Sequence, residues 1–194
     1  MAMAAWWQFQ RARWLTTFNR LEPAAAALRR VLAIDPAYPR ARASLGYTYA
    51  QLGRSDEAIE QFRAALQIDP NDATVHFDLG YVQQQAGAHE AALEAFREAV
   101  RLKPILDRAW YGMGLSLRAL GHHEEALAAF ERVAVLQPMN GFAFYQVGMT
   151  HHALGRLDKV DEVLGHLGAF DPKLANQLAH DAGLAQPLPS GASR

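Results

Sequence analysis

Apolar side chains recur at helical spacing along the chain, in paired segments that return every 34 residues. In SDEAIEQFRAALQIDP, Ala58, Phe62 and Ala65 fall at i, i+4 and i+7, the stripe of an amphipathic helix. In the preceding RARASLGYTYAQLG, Leu45 and Tyr49 lie four apart around Gly46, whose missing side chain lets a partner helix approach. The pattern returns as Leu79, Gly80, Ala92, Phe96 and Ala99, and again as Trp110, Gly114, Ala126 and Phe130. One helical hairpin cannot bury such a stripe alone, so neighbouring hairpins must cover each other.

The polar and breaking positions keep the same step. Pro36, Pro70, Pro104, Pro138 and Pro172 are 34 residues apart, as are Gly53, Gly87, Gly121 and Gly155. Gly53 is expected to end a first helix in the left-handed conformation, Ser55 to cap the second, and Pro70 to block its continuation. The repeats run 5–38, 39–72, 73–106, 107–140 and 141–174. The first is degenerate, with Arg11 and Ala12 where others have leucine and glycine; the last is divergent, with Val160, Leu164 and Leu167 for alanine, phenylalanine and alanine. Residues 173–184 read as a capping helix whose Leu174 and Leu178 cover the open end, and 185–194 as a disordered tail.

The register Leu45, Gly46, Tyr49, Ala58, Phe62, Ala65 and Pro70 resembles the tetratricopeptide repeat family. The resemblance is strong over 39–140 and extends over 5–174. It implies an all-α, right-handed superhelical solenoid of antiparallel helix pairs, about five repeats plus the cap, forming a single domain over 1–184. It also implies a concave surface lined by first helices, at positions 2, 5, 9 and 12 of each repeat. Those positions supply Arg40, Tyr47, Phe77, Tyr81, Arg108, Tyr111 and Tyr145, groups suited to a peptide or partner helix. Aromatics at position 5 (Phe77, Tyr111, Tyr145) are open to a second reading, as packing against the next repeat. Tyr47 and Tyr81, at position 9, lean towards a ligand.

Some members of the family hold a chaperone's C-terminal carboxylate with lysine and asparagine. Here Ala43, Ser44, Tyr47, Phe77 and Asp78 stand at those places and lack the donors, so that function is not expected.

Trp6, Trp7 and Trp14 are three of the four tryptophans, and Trp7, Trp14 and Phe18 share one helix face. They read equally as a cap packed against helix 22–34 and as a second interface, with a membrane-surface helix ranked behind both.

The net charge is −1, from 19 basic and 20 acidic residues, which gives no field for nucleic acid. No apolar run is long enough to span a bilayer. There is no cysteine and no phosphate-binding glycine loop. Among eight histidines, the pairs His122–His123 and His151–His152 lack the i, i+3 or i, i+4 spacing of ligands on one helix face, so neither metal nor cofactor is expected. Sixteen arginines against three lysines fit a bacterial chain, with a cytoplasmic location expected and the periplasm left open.

The leading expectation is a non-catalytic interaction module: an adaptor, assembly factor or accessory subunit that binds a protein or peptide, with self-association through exposed ends left open. The alternative is a secretion or folding chaperone that shelters a client segment and releases it.

Overall fold

The computed structural model describes residues 2–184, so the expected tail at 185–194 lies outside the described residues. The described residues form eleven α-helices and no strand. None of the helices is long and apolar enough to cross a membrane. Contacts divide the chain into two compact units, Met1–Pro104 and Ile105–Arg194.

The first unit holds α1 (Ala2–Thr17), α2 (Leu21–Ile34), α3 (Pro39–Gln51), α4 (Ser55–Ile68), α5 (Ala73–Gln85) and α6 (His89–Leu102). Each helix packs on its chain neighbour: α1 on α2, α3 on α4 and α5 on α6 within pairs, and α2 on α3 and α4 on α5 between them. Gly53 and Gly87 take φ of +73° and +78°, which turns the chain between the two helices of a pair. Asn19, at the same register in the degenerate first repeat, takes φ +54° and replaces that glycine.

Ser55 does not cap α4. Arg54 occupies the N-cap, with no side-chain capping bond, and Ser55 is already the first helical residue. Only one residue separates Gly53 from the helix, so the turn leaves no room for serine one place earlier. The Arg54 guanidinium instead bonds Glu57, lies 3.6 Å from Glu22 in the previous repeat and covers the Tyr49 ring at 4.4 Å. True side-chain caps occur at Asp72 and Asn140, the last residues of their repeats, and at Asp171.

Phe62 and Phe96 are fully buried, each worth roughly 1.5–3 kcal/mol of transfer free energy. They occupy the space that a side chain at Gly46 or Gly80 would need: a Cβ on Gly46 would stand 2.8 Å from the Phe62 ring.

The second unit holds α7 (Asp107–Ala119), α8 (His123–Leu136), α9 (Gly141–Ala153), α10 (Leu157–Gly168) and α11 (Pro172–Asp181). Gly114 faces the buried Phe130 in the same way. At the chain end the arrangement changes. Leu164, in register with the phenylalanines, is only half-buried, and the space above Gly148 is filled by Leu178 of α11, 0% exposed. Leu167, Ala175 and Leu178 form the small core there, with Leu174 packed against it.

Candidate functional site

Three first helices of the N-terminal unit, α1, α3 and α5, border a groove of about 500 Å³. Its walls follow from helical spacing. Residues that point away from the second helices recur every three or four positions, which puts Arg13, Thr16 and Thr17 of α1 beside Ser44, Tyr47 and Gln51 of α3, with the buried Ala12 and Leu28 at the base. Asp72, Thr74, Val75 and Asp78 close the far side. Tyr47 is 46% exposed in this groove, whereas Tyr49, two residues on, is buried in the repeat core.

The groove's hydrogen-bonding capacity is biased towards acceptance. The hydroxyls of Thr16 and Thr17 donate to the carbonyls of Ala12 and Arg13, both at 3.0 Å, so their lone pairs remain for other donors. Gln51 Nε2 donates to the Tyr47 hydroxyl at 3.2 Å. Asp72 accepts from the backbone N–H groups of Thr74 and Val75, at 2.9 and 3.1 Å, which fixes one carboxylate at the rim. Arg13 is the one cation of the lining, and its guanidinium donates to Gln10 Oε1 at 3.3 Å.

Of the polar and aromatic residues expected at positions 2, 5, 9 and 12 of the four later repeats, Tyr47 and Thr74 lie in this groove. Arg40 is exposed at the start of α3. Phe77 is half-buried, 6.0 Å from the Phe96 ring, and stacks on Tyr81 at 6.3 Å, while Tyr81 is 51% exposed. In the second unit Arg108 is exposed at the start of α7. Tyr111 is half-buried, packs edge-on against Phe130 at 5.7 Å and accepts from Gln146 Nε2 at 3.3 Å. Gln146 in turn accepts from Arg118. The Tyr145 hydroxyl donates to Asp181 at 2.7 Å; that bond to a carboxylate raises the phenol's pKa and lowers the acid's. Phe77, Tyr111 and Tyr145 thus each contact their own unit.

Trp6, Trp7, Trp14 and Phe18 are all at least half exposed. Packing against helix 22–34 falls instead to Ala5, Phe9 and Ala12, on the opposite side of α1. The capping reading for the tryptophans is therefore set aside.

Sequence reasoning missed Thr16, Thr17, Gln51 and Asp72, while Ala43, Ser44 and Asp78, noted at the clamp positions as lacking donors, do line the groove. Each missed residue is an ordinary polar one on a helix or, for Asp72, at its N-cap, and only the juxtaposition of three helices gives them a common wall. A second groove, in the C-terminal unit, runs over α9 between α8 and α10, with Phe144, Val147 and His151 on its floor. His151 is buried, and its Nδ1 has no hydrogen-bond partner; His152 is half-exposed. Among the described residues no three His, Asp or Glu side chains converge to hold a metal ion.

Family models match three stretches of the chain: a TPR repeat at 46–87 and tetratricopeptide repeats at 73–105 and 107–140. Solved structures share the fold. The structure of YrrB, described as a TPR protein with an unusual peptide-binding site, superposes with a TM-score of 0.81 at 26% identity, covering 92% of this chain and 91% of that one. A MamA structure gives 0.80 at 22% identity, over 98% and 100%. MamA from Desulfovibrio magneticus RS-1 gives 0.81 at 18%, over 87% and 95%. No curated protein matches the chain.

Proposed function

We propose that this chain, built of tetratricopeptide repeats, is a non-catalytic protein–protein interaction module that holds an extended peptide in the groove between α1, α3 and α5. In that role it serves as an adaptor, assembly factor or accessory subunit. The observation that carries the reading is Tyr47. Its ring stands 46% exposed inside a groove, so a ligand can cover it without disturbing the repeat core.

The acceptor bias names the ligand's chemistry further. Threonine lone pairs and the second carboxylate oxygen of Asp72 receive donors, so the groove suits backbone N–H groups and a basic side chain more than a terminal carboxylate. The likeness to YrrB supports a peptide as the class of partner.

A peptide selected against the intact protein from a displayed library supplies the test. Tyr47→Ala should weaken it by at least about 1 kcal/mol, roughly fivefold in Kd, measured by calorimetry. Tyr81→Ala reports whether the site reaches along α5. Losses under about 0.5 kcal/mol for both variants would remove the groove from the reading.

A further inference from the structure

Helix α1 is apolar on two opposite sides, and only one of them is used by the fold. Ala5, Phe9 and Ala12 face α2. Met3, Trp7, Trp14 and Phe18, spaced by four, seven and four residues, line the other side and are 78%, 65%, 62% and 58% exposed. The rings are grouped along it: Trp14 lies 4.5 Å from Phe18, and Trp6 meets Trp7 edge-on at 5.0 Å. The stripe is a convex ridge about 22 Å long, from the helical rise per residue.

Charge decides what can cover it. Residues 1–21 contain Arg11, Arg13 and Arg20 and no carboxylate, the first being Glu22. The helical period sets Arg11 beside Trp7 and Phe18 on one flank of the ridge, while Arg13 turns towards the groove. A second copy of the same ridge would bring arginine against arginine and offer no acid in return. The partner must bury aromatic rings and supply negative charge, along a line rather than in a socket.

We propose that this face of α1 docks on an anionic lipid bilayer. Trp7, Trp14 and Phe18 enter the headgroup layer, where indole rings partition well, and Arg11 donates to lipid phosphates. Residues 22–194 carry 16 basic and 20 acidic side chains, a net charge of −4, so the attraction is local to this helix and falls off within about a Debye length, ~8 Å at physiological salt. The surface shares none of Met3, Trp7, Arg11, Trp14 and Phe18 with the peptide groove, and the two can fail independently.

Flotation of the full chain with vesicles of phosphatidylcholine alone, and of phosphatidylcholine mixed with phosphatidylglycerol, tests it. The protein should float with the mixed vesicles, with a blue shift of tryptophan emission, and remain behind with the neutral ones. Trp7→Ala with Trp14→Ala should reduce the partition at least about tenfold, and Arg11→Glu at least about fivefold. Tyr47→Ala should leave it unchanged. Circular dichroism reports whether each variant is folded, and Arg11→Glu carries the test should the tryptophan pair fail to fold. Equal binding to both vesicle types, binding to neither, or a sedimenting dimer abolished by Trp14→Ala would overturn the proposal. So would capture by an acidic polypeptide that needs the same tryptophans while the vesicles are ignored.

Discussion

His151 carries the clearest chemistry at the scale of single residues. It occupies the register position of Tyr49, Gln83 and Leu117, all of them buried. Burial holds its imidazole pKa below the ordinary value; Glu131 works against that shift, and Arg156 and Lys159 add to it. The unfolded chain therefore binds a proton on this side chain more readily than the folded one. The stability tied to the neutral ring is complete above the ordinary histidine pKa, near about 6.5, and is lost as pH falls through the lower folded value. Denaturant midpoints should fall between about pH 7.5 and about pH 5, and His151→Leu, which copies Leu117, should make that slope shallower. An unchanged slope would place the acid sensitivity elsewhere. From sequence, His151 and His152 look like a pair; the helix separates them, one into the interior and one towards solvent.

At the scale of elements, the glycine–phenylalanine contacts set how closely paired helices approach. A Cβ on Gly114 would meet three atoms of the Phe130 ring at 2.6, 2.8 and 2.9 Å, and that ring is fully buried and cannot swing away. Alanine improves helix propensity by about 1 kcal/mol, while overpacking a filled core costs about 1–3 kcal/mol. The steric cost should win, so Gly114→Ala should lower the unfolding free energy. Gly165 in α10 has nothing within 4 Å of its virtual Cβ, and there the same substitution should stabilise by up to about 1 kcal/mol. Opposite signs in parallel urea titrations are the expected result. This contact was legible in the sequence, because Gly46 and Phe62 recur together at a fixed offset. The cap of α4 was not, since a serine beside a turn fits either of two adjacent positions and the turn geometry chooses between them.

For the molecule as a whole, the repeat design implies that damage remains local. Phe62 belongs to the core of the first unit and Leu178 to the terminal core of the second, two clusters with no residue in common. Phe62→Ala should cost about 3–5 kcal/mol and Leu178→Ala about 2–5 kcal/mol. Their double mutant should equal the sum of the two within about 0.5 kcal/mol, as measured by chemical denaturation. A larger departure would mean that the two cores are coupled beyond nearest neighbours. Leu178 also shows where the periodic reading stops. The register assigned its role to Leu164, but the last repeat has no following hairpin, and α11 fills the space above Gly148 instead.

The sequence by itself determined the helices, their pairing and their period, because apolar stripes, positive-φ glycines and terminal prolines act over a few residues and repeat in register. It pointed to Tyr47 and Tyr81 alike, from their shared position in the repeat, and of the two only Tyr47 borders the groove. Tertiary structure alone decided that Thr16 and Thr17 of α1 share a wall with Gln51 of α3, since they come from different helices. It alone decided which side of α1 meets solvent. Both sides are apolar, and the one bearing Ala5 and Ala12 admits α2 more closely than indole rings could, so the tryptophans are left outside.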